Sequence, residues 1–143
     1  MYYVDRGQIE QRFRYIDEWL LEAVGELQKK PAMPPSLERL AWERTLHLAA
    51  ELVTDIGSLM IDGFIMRDAS SYEDIVEVLR EEGVFDDSLG ADLHELVKLR
   101  KPLVQRYYAL DASMLEVWKP RLVELLQAFR QSVEQYLQRE LLK

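Results

Sequence analysis

The stretch Ile9-Glu10-Gln11-Arg12-Phe13-Arg14-Tyr15-Ile16-Asp17-Glu18-Trp19-Leu20-Leu21-Glu22-Ala23-Val24-Gly25-Glu26-Leu27 decides the fold class. Its apolar residues Ile9, Phe13, Ile16, Leu20, Ala23 and Leu27 return in steps of four and three, the period of one buried stripe along a packed helix. The run Pro31-Ala32-Met33-Pro34-Pro35 cannot continue that helix, which is expected to end before Pro31.

The same period governs the chain outward from there. Ser36 is the expected cap of a second helix, with Arg39 where a capping-box acid would sit and a buried face of Leu37, Leu40, Ala41, Leu48, Leu52, Ile56 and Leu59. Gly57 and Gly63 weaken its interior and mark either close packing or its end. Ser70 and Ser71, followed by Glu73 and Asp74, start a short third helix carrying Ile75, Val76 and Leu79, and Gly83 stops it. Asp86 or Asp87 caps a fourth helix with Leu89, Leu93, Leu96, Leu103 and Tyr107 on one stripe. Asp111 or Ser113 caps a fifth, on which Leu115, Trp118, Leu122, Leu125, Phe129 and Tyr136 repeat. No alternating β-branched run demands a strand. The expected fold is therefore all-α, an antiparallel bundle of about four long helices, each ~30 Å or more, plus one short helix. Helix five is apolar on a second side through Val117, Val123, Leu126, Val133 and Leu137. That surplus is either core or a subunit interface, and a homodimer is the expectation taken forward.

Size and composition set the outer bounds. The 143 residues, 48% hydrophobic and without linker or repeat, suit a single domain over residues 1–143 with one buried core. With no cysteine there is no disulfide, thiolate metal site or cysteine nucleophile, and two histidines, His47 and His94, exclude a histidine-rich metal cluster. No metal or cofactor is expected. No uncharged stretch approaches the ~20 residues a bilayer needs, and the opening Met1-Tyr-Tyr-Val-Asp-Arg-Gly lacks the order of a signal peptide, so the expectation is a cytoplasmic protein without membrane contact.

Charge narrows the search for chemistry. A net charge of −8 opposes broad, non-specific nucleic-acid binding, so DNA is disfavoured as a partner. Between Glu51 and Glu95 the only bases are Arg67 and Arg80 against thirteen acids, whereas Leu96 to Leu110 holds Lys98, Arg100, Lys101 and Arg106 and no acid. The adjacent pairs Glu81–Glu82 and Asp86–Asp87 read as solvated capping features. In the basic stretch, Arg100 and Tyr107 lie seven residues apart, within roughly 20° on one helix face. Arg100 occupies a seam position between Leu96 and Leu103; by periodicity alone Leu99 carries the seam and Arg100 extends to solvent, as Lys98, Lys101 and Arg106 do. Pro102 removes one backbone hydrogen bond and should kink the helix there.

These residues also carry a family resemblance. The segment Arg100-Lys-Pro-Leu-Val-Gln-Arg-Tyr107 resembles the Arg-x4-His-x-Tyr motif of the HepT-like branch of the HEPN superfamily. The surrounding segments are similar too: His47-Leu-Ala-Ala-Glu-Leu-Val-Thr-Asp-Ile-Gly57, Ser71-Tyr-Glu-Asp-Ile, Leu79-Arg-Glu-Glu-Gly-Val84 and Tyr107-Tyr-Ala-Leu-Asp111. The likeness runs from about Ser36 to the C-terminus. It implies a small helical homodimer that cleaves RNA without metal, its arginine and histidine promoting attack of the 2′-hydroxyl on the adjacent phosphate. It also implies a nucleotidyltransferase antitoxin as partner and Tyr107 as the residue that partner nucleotidylates. Arg100, Lys101 and Arg106 are the implied phosphate contacts.

Here the chain departs from the motif: the histidine position is Gln105. An amide hydrogen-bonds but moves no proton near neutral pH, and losing a general acid or base typically costs ~10²–10⁴-fold. His94, six residues before Arg100 and about 120° around the helix, points elsewhere, and both histidines read as ordinary boundary residues. Three readings remain open: an RNA-cleaving toxin, a HEPN dimer that binds RNA, nucleotide or protein without cutting, and a helical interaction protein.

Overall fold

The computed structural model describes residues 2–30 and 32–142, and every regular element among them is helical. Helix α1 (Arg6–Tyr15) runs through a π-helical turn (Ile16–Leu20) into α2 (Leu21–Gln28) as one rod. α3 (Pro35–Gly63) returns antiparallel to it, and the short α4 (Tyr72–Glu81) follows. α5 (Asp87–Lys98) and α6 (Arg100–Gln105) form a broken rod that leads through a 3₁₀ turn (Tyr107–Ala109) to α7 (Ala112–Trp118) and α8 (Leu122–Leu141). Four rods and one short helix thus make the expected antiparallel bundle.

Most boundaries arise where the residue chemistry places them. Asp5, Ser71, Asp86 and Asp111 cap their helices by accepting from Gln8, Asp74, Leu89 and Ser113 backbone N–H groups. Gly83, at φ 77°, takes the left-handed position after α4. Ser36 does not cap α3. Pro34 precedes the helix and Pro35 occupies its first turn, where a missing N–H costs nothing. Arg39 instead pairs with Glu43 and donates to the Leu110 carbonyl. The expected stop ahead of Pro31 is met by the end of α2 at Gln28, and Pro31 itself lies outside the described residues.

The stripes hold with two shifts. On the first rod Ile9, Phe13, Ile16, Leu20 and Leu27 are buried, but Ala23 is exposed and Val24 takes its place. The π turn holds an extra residue, which rotates the following helix and moves the seam by one position. On α3 the expected face is turned outward at its start. Leu37 and Leu40 are exposed, Leu48 and Leu59 half-buried, while Trp42, Leu46, Ala49, Val53, Ile56 and Met60 are buried. Gly57 proves to be a packing glycine: a Cβ there would overlap Cγ2 of Ile75 on α4. Gly63 admits Val4, whose Cα would lie 2.8 Å from an added Cβ.

The apolar surplus of the fifth helix resolves as core. Leu126, Val133 and Leu137 are fully buried, and Val117 alone of the set is exposed. That helix is not continuous either. It breaks between Trp118 and Leu122, where Pro120 supplies no N–H.

Candidate functional site

The site forms where α6 crosses the middle of α3. Pro102 has no N–H for the Lys98 carbonyl, and the helix breaks at Leu99, as the proline predicts. Leu99 turns into the core, so the seam does pass through it. Arg100, however, does not extend to solvent. Its Nε donates to Glu51 Oε1 at 2.5 Å, and its guanidinium lies 3.9 Å from the centre of the Tyr72 ring. A carboxylate and an aromatic face thereby fix the side chain from two directions. The two terminal amino groups take no hydrogen bond among the described residues, leaving the fork that grips a phosphate.

The same oxygen of Glu51 receives a second side chain. His47 Nε2 lies 3.3 Å from Glu51 Oε1, one turn away on α3, and His47 Nδ1 lies 3.4 Å from Arg44 Nη1. His47, Glu51 and Arg100 are each about a quarter exposed, 26%, 28% and 25% by side chain, so the cluster is held in place yet open to solvent. Beside it, Gln11, Arg12, Tyr15, Leu48, Glu51, Leu52 and Asp55 line a groove of about 270 Å³.

The remaining motif residues stand apart from this cluster. The helix ends at Gln105, so Arg100 and Tyr107 do not share one helical face. Lys101, Gln105 and Arg106 are exposed and make no side-chain hydrogen bond or ion pair among the described residues. Tyr107 is 64% exposed and packs edge-on against Tyr108, ring centres 5.6 Å apart. His94 pairs with Glu77 on α4, as its angular offset implies. His47 is the residue the sequence reading passed over. Its spacing of four from Glu51 was a visible signal.

Electrostatics single out this face. Among the described residues Arg14, Lys30, Arg44, Lys101 and Arg106 have no carboxylate partner, and Arg44, Lys101 and Arg106 sit on or beside the elements that build the cluster. By contrast Arg67 is spent on structure. It bridges Asp74 and Glu81, and its hydrogen bonds hold both carboxyls below their ordinary range. No group of three or more potential metal-ligating side chains converges among the described residues.

Fold and site together define a small HEPN-type helical bundle with an arginine anchored beside a histidine–carboxylate pair. A model of the ribonuclease HepT-like family matches residues 18–135, and the chain belongs to that family. It is 36% identical over 141 residues to the Bacillus subtilis protein named "Putative RNase YutE", covering 99% of this chain and 95% of that one. It is 28% identical over 136 residues to an Archaeoglobus fulgidus protein named "Putative RNase", covering 90% and 96%. The solved structure of the cytosolic Bacillus subtilis protein YutE, described as of unknown function, superposes with a TM-score of 0.85 at 34% identity, covering 99% of this chain and 96% of that one. A tri-AMPylated Shewanella oneidensis HEPN toxin in complex with an MNT antitoxin shares the fold, with a TM-score of 0.78 at 15% identity over 88% and 96% of the two chains. No helix among the described residues is long and apolar enough to cross a membrane.

Proposed function

We propose that this chain, acting as one HepT-like domain over residues 1–143, is a metal-independent endoribonuclease whose phosphate anchor is Arg100. The observation that carries the reading is the guanidinium held by Glu51 and Tyr72 with its terminal amino groups unpaired. Most of the ordering cost of that long side chain is met before substrate arrives. Lys101 and Arg106 extend the positive edge along the RNA backbone, and single-stranded RNA suits it better than a duplex because the flanking surface is acidic.

The active unit is a homodimer. Leu37 and Leu40, 54% and 62% exposed, share the outward stripe of α3 with Arg44, His47 and Glu51, so an apolar seam runs into the charged cluster. Exposed Trp19 and Tyr15 flank it from the first rod. The regulator is a nucleotidyltransferase antitoxin that adds AMP to exposed Tyr107, placing an anion over the Lys101–Arg106 edge; the AMPylated Shewanella toxin supports that kind of partner.

A second reading, RNA binding without cleavage, is favoured by Gln105, an exposed amide at the motif's proton-transfer position. One experiment separates the two: RNA incubated in excess EDTA with the natural protein, Arg100→Ala and Gln105→His. Cleavage by the natural protein that Arg100→Ala abolishes supports the nuclease. Cleavage by Gln105→His alone establishes a binder with an intact cleft. RNA neither cut nor bound by any of them leaves a helical interaction protein.

A further inference from the structure

We infer that His47, on α3, is the general base of this protein, serving the proton transfer that Gln105 cannot; the inference rests on the ribonuclease reading above. Gln105 is exposed and lies five residues beyond Arg100, about 140° around a helix, so within one chain it does not face the anchored guanidinium. The imidazole that does adjoin Arg100 reaches it through Glu51 Oε1, which receives both side chains.

The neighbours of His47 settle its tautomer. An arginine only donates, so Nδ1, facing Arg44 Nη1, is the acceptor. Nε2 then carries the hydrogen and donates to Glu51. A carboxylate behind one ring nitrogen and a lone pair on the other is the arrangement of an oriented base, with Glu51 stabilising the imidazolium that forms. Arg44 is exposed and pairs with no carboxylate among the described residues, so it is free to leave Nδ1 for a phosphate oxygen. Arg44 and Arg100 together outweigh Glu51, which leaves the cluster positive with His47 neutral.

The step balances as follows. His47 Nδ1 takes the proton of the ribose 2′-hydroxyl, and O2′ forms a bond to phosphorus. The bond from phosphorus to O5′ breaks, its electron pair staying on O5′, which takes a proton from water. The imidazolium returns its proton to the hydroxide so formed. The products are a 2′,3′-cyclic phosphate and a 5′-hydroxyl end, with Arg100 holding the non-bridging oxygens throughout. Glu51 is a positioning residue in this scheme.

The test uses the full chain and single-stranded RNA in excess EDTA, comparing the natural protein with His47→Ala, His47→Gln, Glu51→Gln and His94→Ala, each checked for helicity and melting. The expected result is a fall of ~10²-fold or more in kcat for both His47 variants with little change in KM, while His94→Ala cuts like the natural protein. Added imidazole restores part of the rate to His47→Ala and none to Arg100→Ala, a rescue that a purely structural histidine would not show. Glu51→Gln lowers kcat, with the fold kept. If folded His47 variants cut at the natural rate, or if imidazole fails to rescue, His47 is not the base and the ribonuclease reading survives. If the natural protein cuts no RNA, both fall.

Discussion

Replacing Gly57 by alanine is the sharpest probe of the packing that holds the site. The position lies mid-helix on α3, so propensity alone favours alanine by about 1 kcal/mol. Packing opposes it. The new methyl would overlap Ile75 Cγ2 and sit 3.2 Å from Leu79 Cδ1, both buried side chains of α4. Forcing a methyl into a filled core costs ~1–3 kcal/mol, and the upper end applies because Ile75 is stiff at χ1 and backed by core. The net expectation is a loss of about 2 kcal/mol, which for a chain of this size lowers Tm by roughly 4–8 °C. Because α4 carries Tyr72, its displacement also loosens Arg100 and lowers RNA cleavage. Gly25→Ala is the matched control: it too is helical, but an added Cβ there meets nothing within 4 Å, so stability should rise by up to about 1 kcal/mol. Thermal and urea unfolding of both variants decide the matter. A Gly57→Ala protein melting at or above the natural one would refute the close α3–α4 contact.

Other perturbations follow from single observations. Ser71→Ala removes the acceptor for the Asp74 N–H and should cost about 1 kcal/mol in urea unfolding, with weaker RNA cleavage because the cap precedes Tyr72. The Arg67 bridge makes stability pH-dependent. Asp74 and Glu81 titrate below their ordinary values of 3.8 and 4.5 when folded, so their contribution is complete above that range and is lost as pH falls through it. Arg67→Met should therefore flatten the acid limb of a Tm-versus-pH curve below about pH 4.5 while leaving its slope near neutrality unchanged; an acid limb as steep as the natural protein's would show that the bridge does not form. Leu40→Glu, placing a charge on the exposed end of the α3 stripe, should shift the sedimentation of a dimer towards monomer without lowering Tm in proportion.

The local signals were legible where the chemistry was local. Ser71, Asp86 and Asp111 cap their helices because a side-chain oxygen reaches an N–H two or three residues on, and Gly83 ends α4 because a left-handed residue is needed there. Pro102 announced the break at Leu99 for the same kind of reason. Pro120 carried an equal signal for the break before α8, and the strong apolar repeat across it hid that signal. Of the site, Arg100 was legible from the basic stretch and the motif. The partners that orient it were not.

The amino-acid sequence by itself determined an all-helical bundle, the placement of most helix ends, the HepT-like motif and the loss of its histidine at Gln105. Tertiary structure decided what periodicity leaves degenerate. α3 carries two apolar stripes, and only packing against α4, α5 and the first rod selects Trp42, Leu46, Ala49 and Val53 over Leu37, Leu40 and Leu48. The π turn likewise chose Val24 over Ala23. The pairing of Glu51 with Arg100 spans 49 residues of chain, and no local rule relates them. Once α6 is laid across α3, an ordinary-looking histidine one turn from Glu51 becomes the neighbour of the conserved-motif arginine's counterpart, Arg100, because distance in space and not in sequence sets which side chains share an oxygen.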